Sequence, residues 1–299
     1  MKKILVLGGT GFIGSHFINS ISKEEIEIFC LGKKAIKKNK NPSINIVNLD
    51  ISDEKEIKNS LPRDFTHVLN LSGYIDHSNF YANGRRIINE HFIGLMNIIS
   101  HIDKSKLTSF VNIGSSDQYW SKISPMKESF NSKSFSCYSL AKNFSEDFLK
   151  YMHKFEDFPS INVRLFLVYG PNQKDDRFLP HVIKKCLNKE SFNVSPGNQI
   201  RDFCFVDDVI DALRLCLDNK KAIGETINIA SGNPISIKEV VKKVVKISLG
   251  GRPIFGGSDY RENEQMSLFA DNRKANSILG WKPKISLDEG LKKTIDSFS

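Results

Sequence analysis

Short apolar runs alternate with amphipathic stretches through the first half of the chain. Ile4–Leu7, Ile26–Leu31, Ile44–Leu49, His67–Leu71, Phe110–Ile113 and Ile161–Val168 are each rich in β-branched or other apolar residues and have the length of strands. Within 87–99, apolar Ile88, Phe92, Leu95, Met96 and Ile99 recur at helical spacing. Strands separated by crossovers of helical length predict an α/β fold on a doubly wound, mostly parallel sheet. After Tyr169-Gly170-Pro171 the pattern changes. Residues 172–177 read as a polar loop, and the later elements are shorter and mixed, with turn signals at Pro196-Gly197, Ser231–Pro234 and Gly256-Gly257. The expected division is a sheet domain over 1–168 and a smaller mixed α/β region over 169–299. The segment at about 202–230 is expected to return to the sheet domain, and the smaller region to cover the carboxyl ends of the strands.

The first strand runs directly into Gly8-Gly9-Thr10-Gly11-Phe12-Ile13-Gly14. Glycines at 8, 11 and 14 allow a tight turn, close approach of backbone to a pyrophosphate, and close packing of helix on strand. This strand-turn-helix context makes the sheet Rossmann-type and predicts dinucleotide binding. An NAD site places an acid after the second strand to bond the adenosine 2′-hydroxyl, whereas a 2′-phosphate needs a cation there. The chain has Gly32, Lys33 and Lys34 at that point, which predicts NADP(H). Asp50 would either meet the adenine edge or cap a helix starting near Ser52.

Charge bears on partners. Lys+Arg total 43 against 34 Asp+Glu among 299 residues, a net +9. The lysines are scattered in pairs such as Lys2-Lys3 and Lys242-Lys243, with no basic arm or nucleic-acid motif, so the expected partner is a small phosphorylated ligand and not a nucleic acid. No run has the length of a membrane span, and a cytoplasmic location is expected. Five dispersed cysteines and seven histidines show no metal-ligand spacing, so no metal site is expected.

Tyr138 and Lys142 stand four residues apart, on one face of a helix. A nearby ammonium favours the phenolate and would bring the tyrosine pKa toward the working range. Ser115, at the carboxyl end of the fifth strand, is placed to bond a carbonyl oxygen as charge develops on it.

These residues, with Arg201–Asp208 and Leu279–Pro283, resemble the extended short-chain dehydrogenase/reductase family acting on nucleotide sugars. Arg177–Pro180, Cys186–Lys189, Gln199–Phe203 and Arg261–Glu264 most resemble its CDP-abequose synthase-like group, reductases of nucleotide-linked 4-keto-6-deoxyhexoses that serve surface-polysaccharide biosynthesis. The resemblance implies Tyr138 as general acid, Lys142 as its tuning group and ribose ligand, and Ser115 and Ser116 at the substrate. It implies that Thr10, Phe12, Ile13, Ile51, Leu71, Ser72, Gly73 and Leu165 line the cofactor, that Arg201 and Arg261 clamp the substrate pyrophosphate, and that two chains pair through the helices at 87–99 and 138–153.

Three reactions compete on this fold. Dehydratases of the family carry Thr-Asp-Glu where this chain has Ser115-Ser116-Asp117, so their acid is missing at Ser116. Epimerases need only the Ser, Tyr and Lys, but often have an Asn where Leu167 stands. A net reductase must exchange its cofactor, and Gly32 with Lys33 favours that reaction with NADPH. A non-catalytic NADP-sensing protein would lack Tyr138 or Lys142.

Overall fold

β1 (Lys2–Leu7) is buried from Ile4 onward because helices cover both faces of the sheet. The computed structural model describes residues 2–21, 25–32, 43–120, 123–261 and 264–298. Side chains alternate across the strand: Ile4 and Val6 join Leu69 and Val111 in one hydrophobic cluster, while Leu5 and Leu7 join Val68 and Phe110 in another. Lys33 and Lys34 fall outside the described residues.

After β1 the chain forms α1 (Phe12–Ile21), β2 (Ile26–Leu31), β3 (Ile44–Val47), α2 (Glu54–Ser60) and β4 (His67–Asn70). A helical rod over 80–101 follows, in which α3 (Arg85–Ile88) and α4 (Gly94–His101) alternate with π-helical turns at Phe80–Gly84 and Asn89–Ile93. It is longer than the helix expected over 87–99. Next come β5 (Ser109–Ser115), α5 (Cys137–Glu156), β6 (Ser160–Leu165), β7 (Leu167–Tyr169), α6 (Phe178–Leu187), β8 (Ser191–Val194), β9 (Ile200–Phe205), α7 (Val206–Asp218) and β10 (Thr226–Ile229). The chain closes with β11 (Pro234–Ser236), α8 (Ile237–Ser248), β12 (Arg252–Phe255), β13 (Ser267–Leu268), α9 (Arg273–Leu279) and α10 (Leu287–Asp296).

Seven strands form one parallel sheet in the order β10-β6-β5-β4-β1-β2-β3. The order reverses between β1 and β4, which opens a crevice at the carboxyl ends of these strands. α1 and α7 lie on one face through Phe17, Ile18, Val209 and Leu213; Ile57, Leu95, Ile98 and Leu149 from α2, α4 and α5 fill the other. The outermost strand beside β6 is β10, which pairs with it over residues 226–229.

The expected strand over 161–168 is two strands. β6 stays in the large sheet, whereas β7 leaves it to pair with β9, which also pairs with β11 and β13. β8 and β12 pair separately, and α6, α8 and α10 pack beside these small sheets. Among the described residues no helix is long and apolar enough to cross a membrane, no His/Cys/Asp/Glu group could hold a metal, and all five cysteines are free.

Leu5 has no exposed surface and sits mid-strand with partners on either side. Leu5→Ala is expected to cost about 2–5 kcal/mol of unfolding free energy, the range for a buried Leu truncation, as read from the urea midpoint at unchanged m-value.

Candidate active site

The turn after β1 is shaped by what it excludes. Gly8 has φ of 71°, and a Cβ there would lie 2.6 Å from the Leu71 carbonyl oxygen; a Cβ on Gly14 would run into the Gly8 carbonyl. The Gly11 N–H donates to Gly8 O at 2.9 Å, closing the turn before Phe12 and Ile13 start α1. Thr10 leans on Gly32: a Cβ at position 32 would collide with the Thr10 side chain. No acid can stand at 32 while Thr10 keeps its place.

The Asp50 side chain accepts the Ser52 N–H (2.9 Å) and hydroxyl (2.7 Å), bracing the turn before α2. The helix itself starts at Glu54 and is capped by Asp53, so neither the start near Ser52 nor a cap by Asp50 holds. Asp53 wins because its carboxylate reaches the N–H groups of Lys55 and Glu56. Ile51 packs over Gly94 of α4. Beyond β4, Ser72 is held by Asn70, and Gly73 passes flat against the His91 ring.

At the end of β5 the Ser115 hydroxyl caps the 3-10 turn Ser116–Gln118 by accepting the Asp117 N–H at 3.1 Å. The Ser115 N–H donates to Gln118 Oε1 at 2.9 Å. Leu165 lies directly across from Ser115 on β6. α5 starts at Cys137 because Ser136 and Ser139 cap each other, each hydroxyl accepting the other's N–H at 3.1 Å. Tyr138 is thereby fixed in the first turn, with its phenol within the influence of the Ser115 side chain, which favours the ionised form.

A buried brace joins these pieces. Arg164 on β6 donates twice to Glu146 on α5, at 2.9 and 2.6 Å, and stacks over the Tyr119 ring at 4.5 Å. Gln118 Nε2 donates to Glu146 Oε2 at 2.9 Å and to Asn143 Oδ1 at 3.0 Å, while its carbonyl oxygen holds Ser115. Ser115 is thus anchored to the helix that carries Tyr138 and Lys142.

The electrostatics differ from expectation in one respect. Burial and the Asp117 charge push the Tyr138 phenol above its usual range, against the lowering effects of Ser115 and Arg177. The Lys142 ammonium donates to the Ile113 carbonyl at 2.7 Å and lies 6.0 Å from the Tyr138 ring centroid. Desolvation in turn pulls Lys142 down to about 8.

Two residues beside Tyr138, His91 and His77, have no sequence signal. His91 lies edge-on to Tyr138 at 5.4 Å, with Nε2 3.2 Å from Tyr74 N and 3.1 Å from Tyr74 O. Burial and the charge of Lys142 pull its pKa down to about 3, so it is neutral. His77 lies 5.8 Å from the Tyr138 ring and 3.6 Å from Asp117. Buried Ser116 opens the turn before Asp117. Arg201 is ion-paired with Glu264, and its charge, with those of Arg177 and exposed Arg261, acts on Asp117. The charges of three arginines from separate segments therefore act on one carboxylate, whose own charge acts on the phenol.

Residues 4–230 match the pattern of the NAD dependent epimerase/dehydratase family. The chain belongs to that family. It is similar to CDP-abequose synthase of Salmonella typhimurium, at 26% identity over 98% of this chain and 97% of the relative. Identity to a putative UDP-glucose 4-epimerase of Methanocaldococcus jannaschii is 30%, over 98% and 97%. The UDP-glucuronic acid 4-epimerase from Bacillus cereus, solved with UDP-glucuronic acid and NAD, superposes with a TM-score of 0.88 at 25% identity, covering 99% of this chain and 98% of that one. Membership of the family and the likeness to CDP-abequose synthase agree with the resemblance read from the motifs.

Lys142 supplies a test of the site's electrostatics. Its folded pKa, about 8, lies below the usual 10.5, so the native state binds the proton less tightly and this group's contribution to stability rises between those values. Relative to Lys142→Met, the native chain should therefore gain about 3 kcal/mol of stability from pH 8 to pH 10.5. The check is denaturant unfolding of both proteins across that range; a constant difference would contradict the desolvated lysine.

Proposed function

We propose that the chain is an NADP(H)-dependent 4-ketoreductase of a CDP-, dTDP- or GDP-linked 4-keto-6-deoxy sugar. The observation that carries this reading is the set of Ser115, Tyr138 and Lys142 at the carboxyl end of β5, braced together in a family of nicotinamide-dependent enzymes. The likeness to CDP-abequose synthase over nearly all of both chains supports this reaction among those of the family.

The glycine turn between β1 and α1 suits a dinucleotide, since side chains at 8 and 14 would collide with the backbone that shapes it ahead of the helix N-terminus. Gly8, Thr10, Gly11, Phe12, Ile13 and Gly14 would line the pyrophosphate, and Gly32, Asp50 and Ile51 the adenosine end. Leu71, Ser72, Gly73 and Leu165 would border the nicotinamide. The exclusion of a side chain at 32 by Thr10 supports NADP(H), with Lys33 assigned to the 2′-phosphate.

When bound, NADPH supplies the hydride for the C4 ketone. Tyr138 donates its proton to the C4 oxygen, and burial keeps that proton in place until charge develops there. Ser115 is the second donor to the oxygen. Lys142, charged below about pH 8, turns to the ribose and the phenol and stabilises the phenolate that proton transfer leaves. Arg201 and Arg261 hold the substrate pyrophosphate, for which the planar guanidinium is suited. Exposed Phe144, Tyr151 and Phe155 give α5 an aromatic face on which two chains would pair.

A nucleotide-sugar 4-epimerase is the second reading, favoured by the 30% identity to the archaeal protein. Against it, Leu167 offers no hydrogen bond at the start of β7, where it is partly exposed. The two separate in one assay. NADPH oxidation is expected with at least one member of a panel of CDP-, dTDP- and GDP-linked 4-keto-6-deoxy sugars, and Tyr138→Phe should lower it by about 100-fold or more while NADPH binding persists. Interconversion of unreduced nucleotide sugars without NADPH oxidation would make the protein an epimerase.

A further inference from the structure

A row of aromatic rings runs outward from the phenol, and the reduction gives it no task. Phe135 lies between two others: the Trp120 ring is tilted over it at 4.8 Å, and the His77 imidazole stacks on it at 6.1 Å with planes 22° apart. His77 in turn meets the Tyr138 ring edge-on at 5.8 Å. Trp120 and Phe135 are 37% and 43% exposed. Exposed apolar rings that adjoin one another mark a binding surface.

Separate elements fix the row in place. The bridge between Tyr119 and Ser132, with the Lys133 N–H donated to Gln118 O at 3.1 Å, lays the segments of Trp120 and Phe135 side by side. The Tyr119 hydroxyl donates to Asn228 Oδ1 at 2.8 Å and anchors the residue before Trp120. The Phe135 N–H donates to Ser139 Oγ at 3.0 Å, which ties it to the first turn of α5, three residues ahead of Tyr138. Asp76 accepts an N–H from Ser78 and one from Asn83, each at 2.7 Å, and so steadies the loop that carries His77. Rings held in this way give up little freedom when a ligand covers them.

Two unlike surfaces therefore meet at Tyr138, a cationic one acting through Asp117 and an aromatic one reached through His77. A nucleoside-diphosphate sugar carries its pyrophosphate on C1, across the ring from C4. With the pyrophosphate on the arginines and the C4 oxygen at Tyr138, one edge of the sugar presents C2 and C3, and the other presents C5 and its C6 methyl. The methyl gains from an aromatic neighbour, whereas a hydroxyl set there would lose its hydrogen bonds to water.

We propose that Trp120 and Phe135, continued by His77, form a shelf for the C5–C6 methyl edge of the substrate and make the site selective for 6-deoxyhexoses. The proposal rests on the ketoreductase reading above and adds what the site reads on the sugar.

The test uses the full chain with NADP+ bound and two probes on each of the CDP, dTDP and GDP nucleotides: a 4-keto-6-deoxyhexose and the 4-keto-pentose that lacks only its C6 methyl. Calorimetric titration is expected to show the hexose binding about tenfold or more tighter on the nucleotide the site accepts, the discrimination one apolar carbon gives in a fitted pocket. Trp120→Ala and, separately, Phe135→Ala should each bring that preference below about threefold, and the two variants guard against one failing to fold. Equal binding of the two probes, or a preference unmoved in both variants, overturns the shelf. NADPH oxidation with the same probes, measured in parallel, tests the reading beneath it. A methyl preference lost in the variants, without NADPH oxidation, supports the shelf and refutes the reductase; oxidation of both sugars with equal affinities keeps the reductase and refutes the shelf. Binding of neither probe on any nucleotide refutes both.

Discussion

Ser115 can act with Tyr138 only because strand end and helix are held in one geometry, and the buried Arg164–Glu146–Gln118 brace holds them. Arg164 lies on β6, Glu146 on α5, and Gln118 just past β5, so three elements meet at one carboxylate. A buried ion pair need not add net stability, since the desolvation of both charges offsets their attraction. Its value here is positional. With the guanidinium forked onto Glu146 and Gln118 spanning from Glu146 to the Ser115 N–H, a slip of α5 along the sheet would leave buried charges unpaired, at a cost of about 3–5 kcal/mol. Such a penalty keeps a reacting geometry within the tight tolerance that catalysis requires.

The groups inside this frame respond to burial more than to one another. Lys142 loses affinity for its proton, Tyr138 gains it, and His91 stays neutral between them. All three shifts disfavour charge in a closed pocket. A phenol kept protonated is a competent donor only when the oxygen it faces becomes basic, so its proton is spent at the transition state and not before. The net charge of +9 contributes less to this than its size suggests. The cations that matter are the few that converge on Asp117, while many lysines are tied to surface carboxylates, as Lys2 is to Asp218 and Lys243 to Asp288. Such exposed pairs are worth about 0–1 kcal/mol each.

Features carried by local pattern were readable from the sequence. The strands through β5, the glycine turn and the four-residue spacing of Tyr138 and Lys142 depend on neighbours a few residues away. The break after Leu165 was not readable, because 161–168 contains no Gly, Pro or other turn signal and only the change of partner, from β5 and β10 to β9, divides it. Nor was the cap on α2, where Asp50 and Asp53 are equally good candidates by residue type and geometry selects Asp53. His77, His91 and Gln118 carry no motif in the sequence and come near the Tyr138 helix only through long-range packing, so no spacing rule finds them. A buried glutamine directly after Ser115-Ser116-Asp117 is the one local hint, since an amide at a strand end needs partners.

The central claim is that this braced pocket moves a hydride from cofactor to sugar in one direction. It is tested most directly with NADPH deuterated on the transferring face of its nicotinamide C4, a nucleoside-diphosphate 4-keto-6-deoxy sugar, and mass spectrometry of the sugar after turnover. One deuterium per product molecule, located at C4, is the predicted result. Turnover that yields an unlabelled sugar would contradict the account.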